Sequence, residues 1–131
     1  MSLSVIAAKN VAQALEVLSA RPGKAMRALT AEEPEAVGSF LYDFRAAFIN
    51  YETYCRFDPY RDTLLESDQV PAIRTFADSI LTWLSEHEVE ENRGIETYSV
   101  SFPKIWRFAA ALRRVSDVGE KQGVGLVGIG D

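Results

Sequence analysis

The sequence is poor in the residues that build disulfides and metal sites. Its 131 residues include one cysteine, Cys55, and one histidine, His87. A single cysteine excludes an internal disulfide, and one cysteine with one histidine is too small a set for a structural zinc site. Neither a metal nor another cofactor is therefore expected, and the scarcity of cysteine is typical of a cytoplasmic protein.

Long apolar runs are missing too. Lys9, Asn10, Gln13 and Glu16 interrupt the apolar residues of the first twenty positions. No window reaches the length of about 18 uncharged residues that a membrane-spanning helix requires. We therefore expect no membrane partner.

Positive charge is scarce relative to negative charge. The chain has 14 Lys and Arg against 19 Asp and Glu, and its net charge is −5. Residues 30–96 alone carry fifteen of the acidic side chains and five of the basic ones. An acidic surface repels phosphate backbones, so nucleic acid is not expected as a partner. The charge favours another protein, of basic character, as the partner.

The sequence does have the content of a globular domain and a helical repeat of apolar residues. Hydrophobic residues make up 47% of it, and apolar side chains recur at intervals of three and four along four stretches. These stretches are residues 4–20, 30–56, 71–87 and 103–119, with a short connector helix at residues 60–66. We therefore predict an all-α fold, a four-helix bundle-like single domain that occupies residues 1–120.

The C-terminal stretch GVGLVGIG, residues 123–130, contains the glycine spacing G-x-G-x-x-G. That spacing binds a dinucleotide only between a buried strand and a helix. Residues 117–122 are mostly polar, and three residues follow Gly128, so we reject a nucleotide site. Because glycine raises the entropic cost of ordering a chain, residues 121–131 are predicted to be a Gly-rich tail that folding does not need. Residues 97–102 alternate polar and apolar side chains and are predicted to be extended.

The second predicted helix carries a mixed stripe of side chains beside its apolar face. Its members follow each other at spacings of three and four: Tyr42, Arg45, Ile49, Glu52 and Arg56. Arginine offers a planar fork of donors for a carboxylate or phosphate, so Tyr42, Arg45, Glu52 and Arg56 are the candidate binding residues. In the simpler alternative, which the spacing favours, Glu52 pairs with Arg56 and Ile49 packs on a neighbouring helix.

An acidic segment follows the third predicted helix. Glu86, Glu88, Glu90 and Glu91 lie at the helix C-terminus, where negative charge is unfavourable. The segment is either a solvated turn, which is the simpler interpretation, or a patch for a basic partner. His87 and Cys55 fall on apolar helix faces, and we expect structural roles for both.

Neither a nucleophile elbow nor a phosphate-binding loop is present in the sequence. We therefore expect a non-enzymatic protein-binding module, a small regulatory, inhibitory or assembly subunit. One alternative is small-molecule binding or catalysis in an inter-helix pocket, lined by Tyr42, Arg45, Tyr51, Glu52, Arg56 and His87. Another is a homo-oligomeric structural protein in which the mixed stripe packs on a second copy.

Overall fold

The computed structural model of the protein describes residues 3–19, 30–87 and 102–130. It shows an α+β fold, so the prediction of an all-α helical bundle was wrong. The elements in chain order are β1 (Leu3–Ala8), α1 (Val11–Ser19), β2 (Thr30–Glu33), α2 (Val37–Asp43), α3 (Tyr51–Tyr54), β3 (Thr63–Leu65), α4 (Val70–His87), α5 (Phe102–Gln122) and β4 (Gly125–Gly130). Short 3₁₀ turns lie at Arg45–Ala47 and Ser67–Gln69.

The four strands form one antiparallel sheet in the order β2-β1-β4-β3. Strand β1 occupies the start of the first predicted helix, which in the structure begins only at Val11. Val5 lies opposite Ala31 of β2 on one side and Gly128 of β4 on the other. Because β1 is buried on both faces, its apolar residues run continuously, and a short continuous run does not distinguish a strand from a helix.

The predicted Gly-rich tail is also corrected, because Gly125–Gly130 forms an interior strand of the sheet. A Cβ added to Gly128 would lie 2.6 Å from Cδ1 of Phe57, and one added to Gly130 would lie 2.5 Å from the backbone nitrogen of Arg61. These glycines leave room for the loop of residues 57–61 against the strand. The spacing that resembles a nucleotide motif therefore serves packing.

The second predicted helix is broken into several pieces. Residues 30–33 pair as β2, and two residues with positive φ, Ala36 at 72° and Asn50 at 63°, precede α2 and α3. A left-handed backbone conformation interrupts a right-handed helix, and asparagine tolerates it better than most residues. The Asn50 side chain also donates a hydrogen bond to the carbonyl of Ala72, 3.2 Å away. The predicted connector helix at residues 60–66 instead contains β3.

The third and fourth predicted helices are present as α4 and α5. Ion pairs join them along their exposed flank, where Arg74 Nε lies 3.2 Å from Asp117 Oδ1 and Arg113 Nε lies 2.6 Å from Asp78 Oδ1. Phe102, expected at the end of an extended stretch, is the first residue of α5. The other residues of that stretch, 97–101, lie outside the described residues.

The core has two parts, one on each face of the sheet. The larger part lies under α2, α4 and α5 and includes the fully buried side chains Phe40, Phe76 and Leu126. The smaller part lies under α1 and consists of Ile6, Ala8, Ala14 and Val127. In the described part of the chain, none of the helices combines the length and apolar character needed to cross a membrane.

Candidate functional site

Two of the predicted binding residues meet at the end of α2. The guanidinium carbon of Arg45 lies 4.1 Å from the centre of the Tyr42 ring, and Arg45 Nη1 donates a hydrogen bond to the Tyr42 carbonyl at 2.7 Å. Both side chains are exposed. A cation over an aromatic face is attracted by the ring quadrupole, so the two side chains hold each other in place in solvent.

The other members of the mixed stripe are exposed as well, and Glu52 and Arg56 lie beyond the break at Asn50. Ile49 is 56% exposed, and its backbone N–H donates a hydrogen bond to Ser79 Oγ of α4 at 3.0 Å. Arg56 Nη1 donates to Gln69 Oε1 at 3.4 Å, and among the ion pairs of the described residues none joins it to Glu52. The structure therefore does not show the surface pair of the simpler alternative.

A layer of aromatic rings packs at the end of α2, next in the chain to Tyr42 and Arg45. The Phe44 ring, next in the chain to α2, lies 5.0 Å from the Phe40 ring and 5.1 Å from the Trp83 ring. Trp83 in turn stacks on His87 at 4.4 Å, and His87 Nδ1 donates a hydrogen bond to the Trp83 carbonyl at 2.8 Å. Both contacts tie the His87 ring to its own helix, α4.

A pocket of about 190 Å³ lies between β2, α2, α3 and the loop that follows α3. We call it the Glu33 pocket, and its lining is Leu3, Glu33, Gly38, Leu41, Tyr51, Tyr54, Cys55, Phe57 and Pro59. The pairing of Glu33 with Leu3 at the end of β2 places the carboxyl group there. A Cβ on Gly38 would lie 3.6 Å from Glu33 Oε2, so the glycine keeps the space beside that oxygen open.

The polar groups of the Glu33 pocket have shifted protonation equilibria. Tyr54 is buried, and its hydroxyl donates a hydrogen bond to Glu33 Oε1 at 2.7 Å. Burial raises the pKa of Glu33, and the hydrogen bond from Tyr54 only partly offsets this rise. Burial also raises the pKa of Tyr54, with a further contribution from the charge of Glu33. The pKa of Tyr51 rises for the same first reason, and then because of its hydrogen bond with Cys55.

The Glu33 pocket therefore combines one carboxyl group, two phenols and a thiol with apolar walls. Metal coordination is not what this set favours, because among the described residues no group of three or more His, Cys, Asp and Glu side chains could hold a metal ion. A carboxyl group and two phenols among apolar walls can form hydrogen bonds and ring contacts with a small organic molecule.

A larger groove of about 590 Å³ lies between the end of α4 and the start of α5. Its apolar lining includes Leu81, Leu84, Phe102 and Trp106, and Trp106 is 55% exposed. Glu86 is exposed on the last turn of α4. The other three residues of the predicted acidic patch, Glu88, Glu90 and Glu91, lie outside the described residues.

Sequence reasoning missed the pairing of Glu33 with Tyr54. Glu33 fell inside the second predicted helix, residues 30–56, whereas in the structure Ala31, Glu32 and Glu33 are buried, exposed and half-buried in turn, as in a strand. A stretch of four residues is too short for that alternation to be recognised.

Comparison with protein-family models, with curated proteins and with solved structures finds no match to this chain.

Proposed function

We propose that the chain is a non-enzymatic protein-binding module, a small regulatory, inhibitory or assembly subunit. The supporting observation is the exposed pair of Tyr42 and Arg45, which we call the Tyr42 surface. Tyrosine and arginine are enriched among the residues that dominate binding energy at protein interfaces. On this surface the two side chains already hold each other, so less rotamer entropy is lost when a partner binds.

The packing of Phe44, which lies between the two residues of the Tyr42 surface in sequence, supports the same proposal. Phe44, between Tyr42 and Arg45 in sequence, packs on the rings of Phe40 and Trp83 in the core. The chain segment that carries Tyr42 and Arg45 is therefore anchored to the packed core. Rigid anchors of this kind bind with smaller ordering costs than side chains on a mobile loop.

The charge of the chain supports a basic protein as the partner. Two of the described arginines, Arg74 and Arg113, pair with carboxylates of α4 and α5 and do not offset the remaining acidic surface. Exposed carboxylates such as Glu32, Glu35 and Glu52 would steer a positively charged protein toward the chain. The segment Glu86 to Glu91 is proposed to contribute to this steering, and the scarcity of cysteine supports a cytoplasmic location.

The test compares the wild type with two variants. Tyr42→Ala/Arg45→Ala removes the Tyr42 surface, and Tyr60→Ala is the matched control because Tyr60 is 68% exposed on a different loop. Thermal unfolding first establishes that both variants fold. Each protein is then immobilised as bait in an extract of the source organism, and proteins retained by the wild type are purified for equilibrium binding.

The proposal predicts a partner whose binding the Tyr42→Ala/Arg45→Ala variant weakens by at least about 2 kcal/mol, about thirty-fold in Kd, while Tyr60→Ala leaves it unchanged. Equal binding by all three proteins would contradict it. Sedimentation of the wild type alone tests for a second copy as the partner. Dimerisation that the double variant abolishes would replace the regulatory subunit with the homo-oligomer.

A further inference from the structure

We propose that the Glu33 pocket binds an alkylammonium cation, either a small free amine or the side chain of a lysine. The pocket shares none of its lining residues with the Tyr42 surface. The proposal therefore goes beyond the proposed function and stands whether or not that surface binds a protein.

The Glu33 carboxylate has no positively charged partner among the described residues. Its hydrogen bond comes from Tyr54, a neutral phenol, and no ion pair among the described residues includes Glu33. Buried carboxylates in proteins are normally compensated by a cation because the loss of hydration is costly. The rise in the pKa of Glu33 on burial shows the same lack of compensation. An ammonium group entering the pocket would supply the missing positive charge.

Three aromatic side chains in the lining of the Glu33 pocket also favour a cation. Tyr51, Tyr54 and Phe57 all line the pocket, and the rings of Tyr54 and Phe57 meet edge to face with centroids 5.8 Å apart. Aromatic faces attract ammonium and methylated ammonium groups, whose methyl groups also pack well on apolar side chains. Leu3 and Leu41 provide apolar surface for the stem of such a ligand.

The volume of the Glu33 pocket also matches a small ammonium group. The 190 Å³ of the pocket corresponds to about six water molecules at about 30 Å³ each. That space accommodates a methylated ammonium group or the end of a lysine side chain. A nucleotide or a folded peptide element is too large for it.

The charges on the neighbouring elements agree with a cation. The polar lining consists of the Glu33 carboxyl group from β2 and of the side chains of Tyr51, Tyr54 and Cys55 from α3 and its C-terminal end. None of the lining residues carries a positive charge. Arg45 is the nearby cation, and its charge opposes the burial-driven rise in the pKa of Tyr51. Its guanidinium is held over the Tyr42 ring and bonded to the Tyr42 carbonyl. An anion would face the Glu33 carboxylate directly.

The experiment titrates the full chain with trimethylammonium chloride and with n-butylammonium chloride, followed by NMR chemical shifts of the pocket residues. Tert-butanol serves as the neutral ligand of matched shape, and sodium chloride matches the ionic strength. The key variant is Glu33→Gln, which keeps the shape and the acceptor for Tyr54. The control variant is Glu32→Gln, because Glu32 is the exposed neighbour on the same strand.

We expect saturable shifts with both ammonium salts, at least a ten-fold weaker affinity in Glu33→Gln, and an unchanged affinity in Glu32→Gln. Equal binding of trimethylammonium by wild type and Glu33→Gln would overturn the proposal, as would equal shifts with tert-butanol. If Glu33→Gln does not fold, Phe57→Leu provides the second variant, and it must weaken trimethylammonium more than tert-butanol.

A lysine derivative blocked at both backbone ends distinguishes the two sources of the ammonium group. Binding of this derivative with the affinity of n-butylammonium assigns the pocket to a lysine side chain. Binding of the free amines without it assigns the pocket to a small metabolite amine. Failure of all amines would overturn the proposal while leaving the Tyr42 surface untouched.

Discussion

Replacing Gly128 with alanine tests whether strand β4 depends on its glycines. The new Cβ would lie 2.6 Å from Cδ1 of Phe57 and 3.2 Å from its Cγ, well inside ordinary van der Waals contact. Phe57 is only 3% exposed, and its ring also meets the Tyr54 ring, so it has little room to retreat. Overpacking of this kind costs about 1–3 kcal/mol, and we expect the free energy of unfolding to fall by that amount.

Urea denaturation of four variants measures the effect: Gly128→Ala, Gly38→Ala, Phe57→Leu and the double variant Gly128→Ala/Phe57→Leu. Gly38→Ala is the matched control, because its nearest neighbour would be 3.6 Å away and alanine favours the helix by about 0.5–1 kcal/mol. The double variant Gly128→Ala/Phe57→Leu removes the ring that alanine strikes, so the two changes should cost less together than their sum. A loss below about 0.5 kcal/mol in Gly128→Ala, or strict additivity in the double variant, would refute the reasoning.

Three further predictions follow from the fold and the pocket. Deleting residues 121–131 removes β4 from between β1 and β3, and we expect circular dichroism to show an unfolded chain; a cooperative melt near the wild-type temperature would contradict the topology. Since burial raises the pKa of Glu33 above 4.5, its native state holds a proton longer than the unfolded state. Stability should therefore fall as pH rises from about 4.5 through the raised native pKa, and Glu33→Gln should remove this fall in unfolding free energies measured against pH. Phe40→Ala empties a fully buried site and should cost about 3–5 kcal/mol in urea denaturation, whereas Arg56→Ala at the exposed surface should cost less than about 1 kcal/mol.

Helices α4 and α5 could be predicted because each repeats apolar residues at helical spacing over many turns. Residues such as Ile73, Phe76 and Ile80 fall on one face, and Ile105, Phe108 and Leu112 do the same in α5. The predicted bounds, residues 71–87 and 103–119, are close to the observed ones, although α5 continues past Gly119 to Gln122. The sequence alone was therefore sufficient for these two elements.

The strands could not be predicted in the same way, because the contacts that stabilise them are made with residues far away in the sequence. Gly128 is a glycine because of Phe57, and β1 is apolar on both faces because α1 covers one and the larger core covers the other. The local preference of a glycine-rich stretch is for disorder. Pairing with β1 and β3 overrides that preference.

In the candidate site, too, features within one helix could be predicted from the sequence, and contacts between distant residues could not. The exposure of Tyr42 and Arg45 follows from their position relative to the apolar face, so the sequence predicted that both are exposed. The hydrogen bond between Glu33 and Tyr54 spans 21 positions and two positive-φ residues. Spacing rules describe neighbours on one helix and do not reach across such breaks.

The pairing of β1 with β4 also determines when the sheet can be completed during synthesis of the chain. Leu3 lies opposite Gly130, so the first described strand is completed by the last. A ribosome releases the N-terminal end long before β4 exists, while α4 and α5 can already form from local contacts. The apolar side chains of β1 therefore lack their neighbours on β4 until residues 125–130 have been synthesised, and during that interval the nascent chain is most exposed to aggregation and to chaperones.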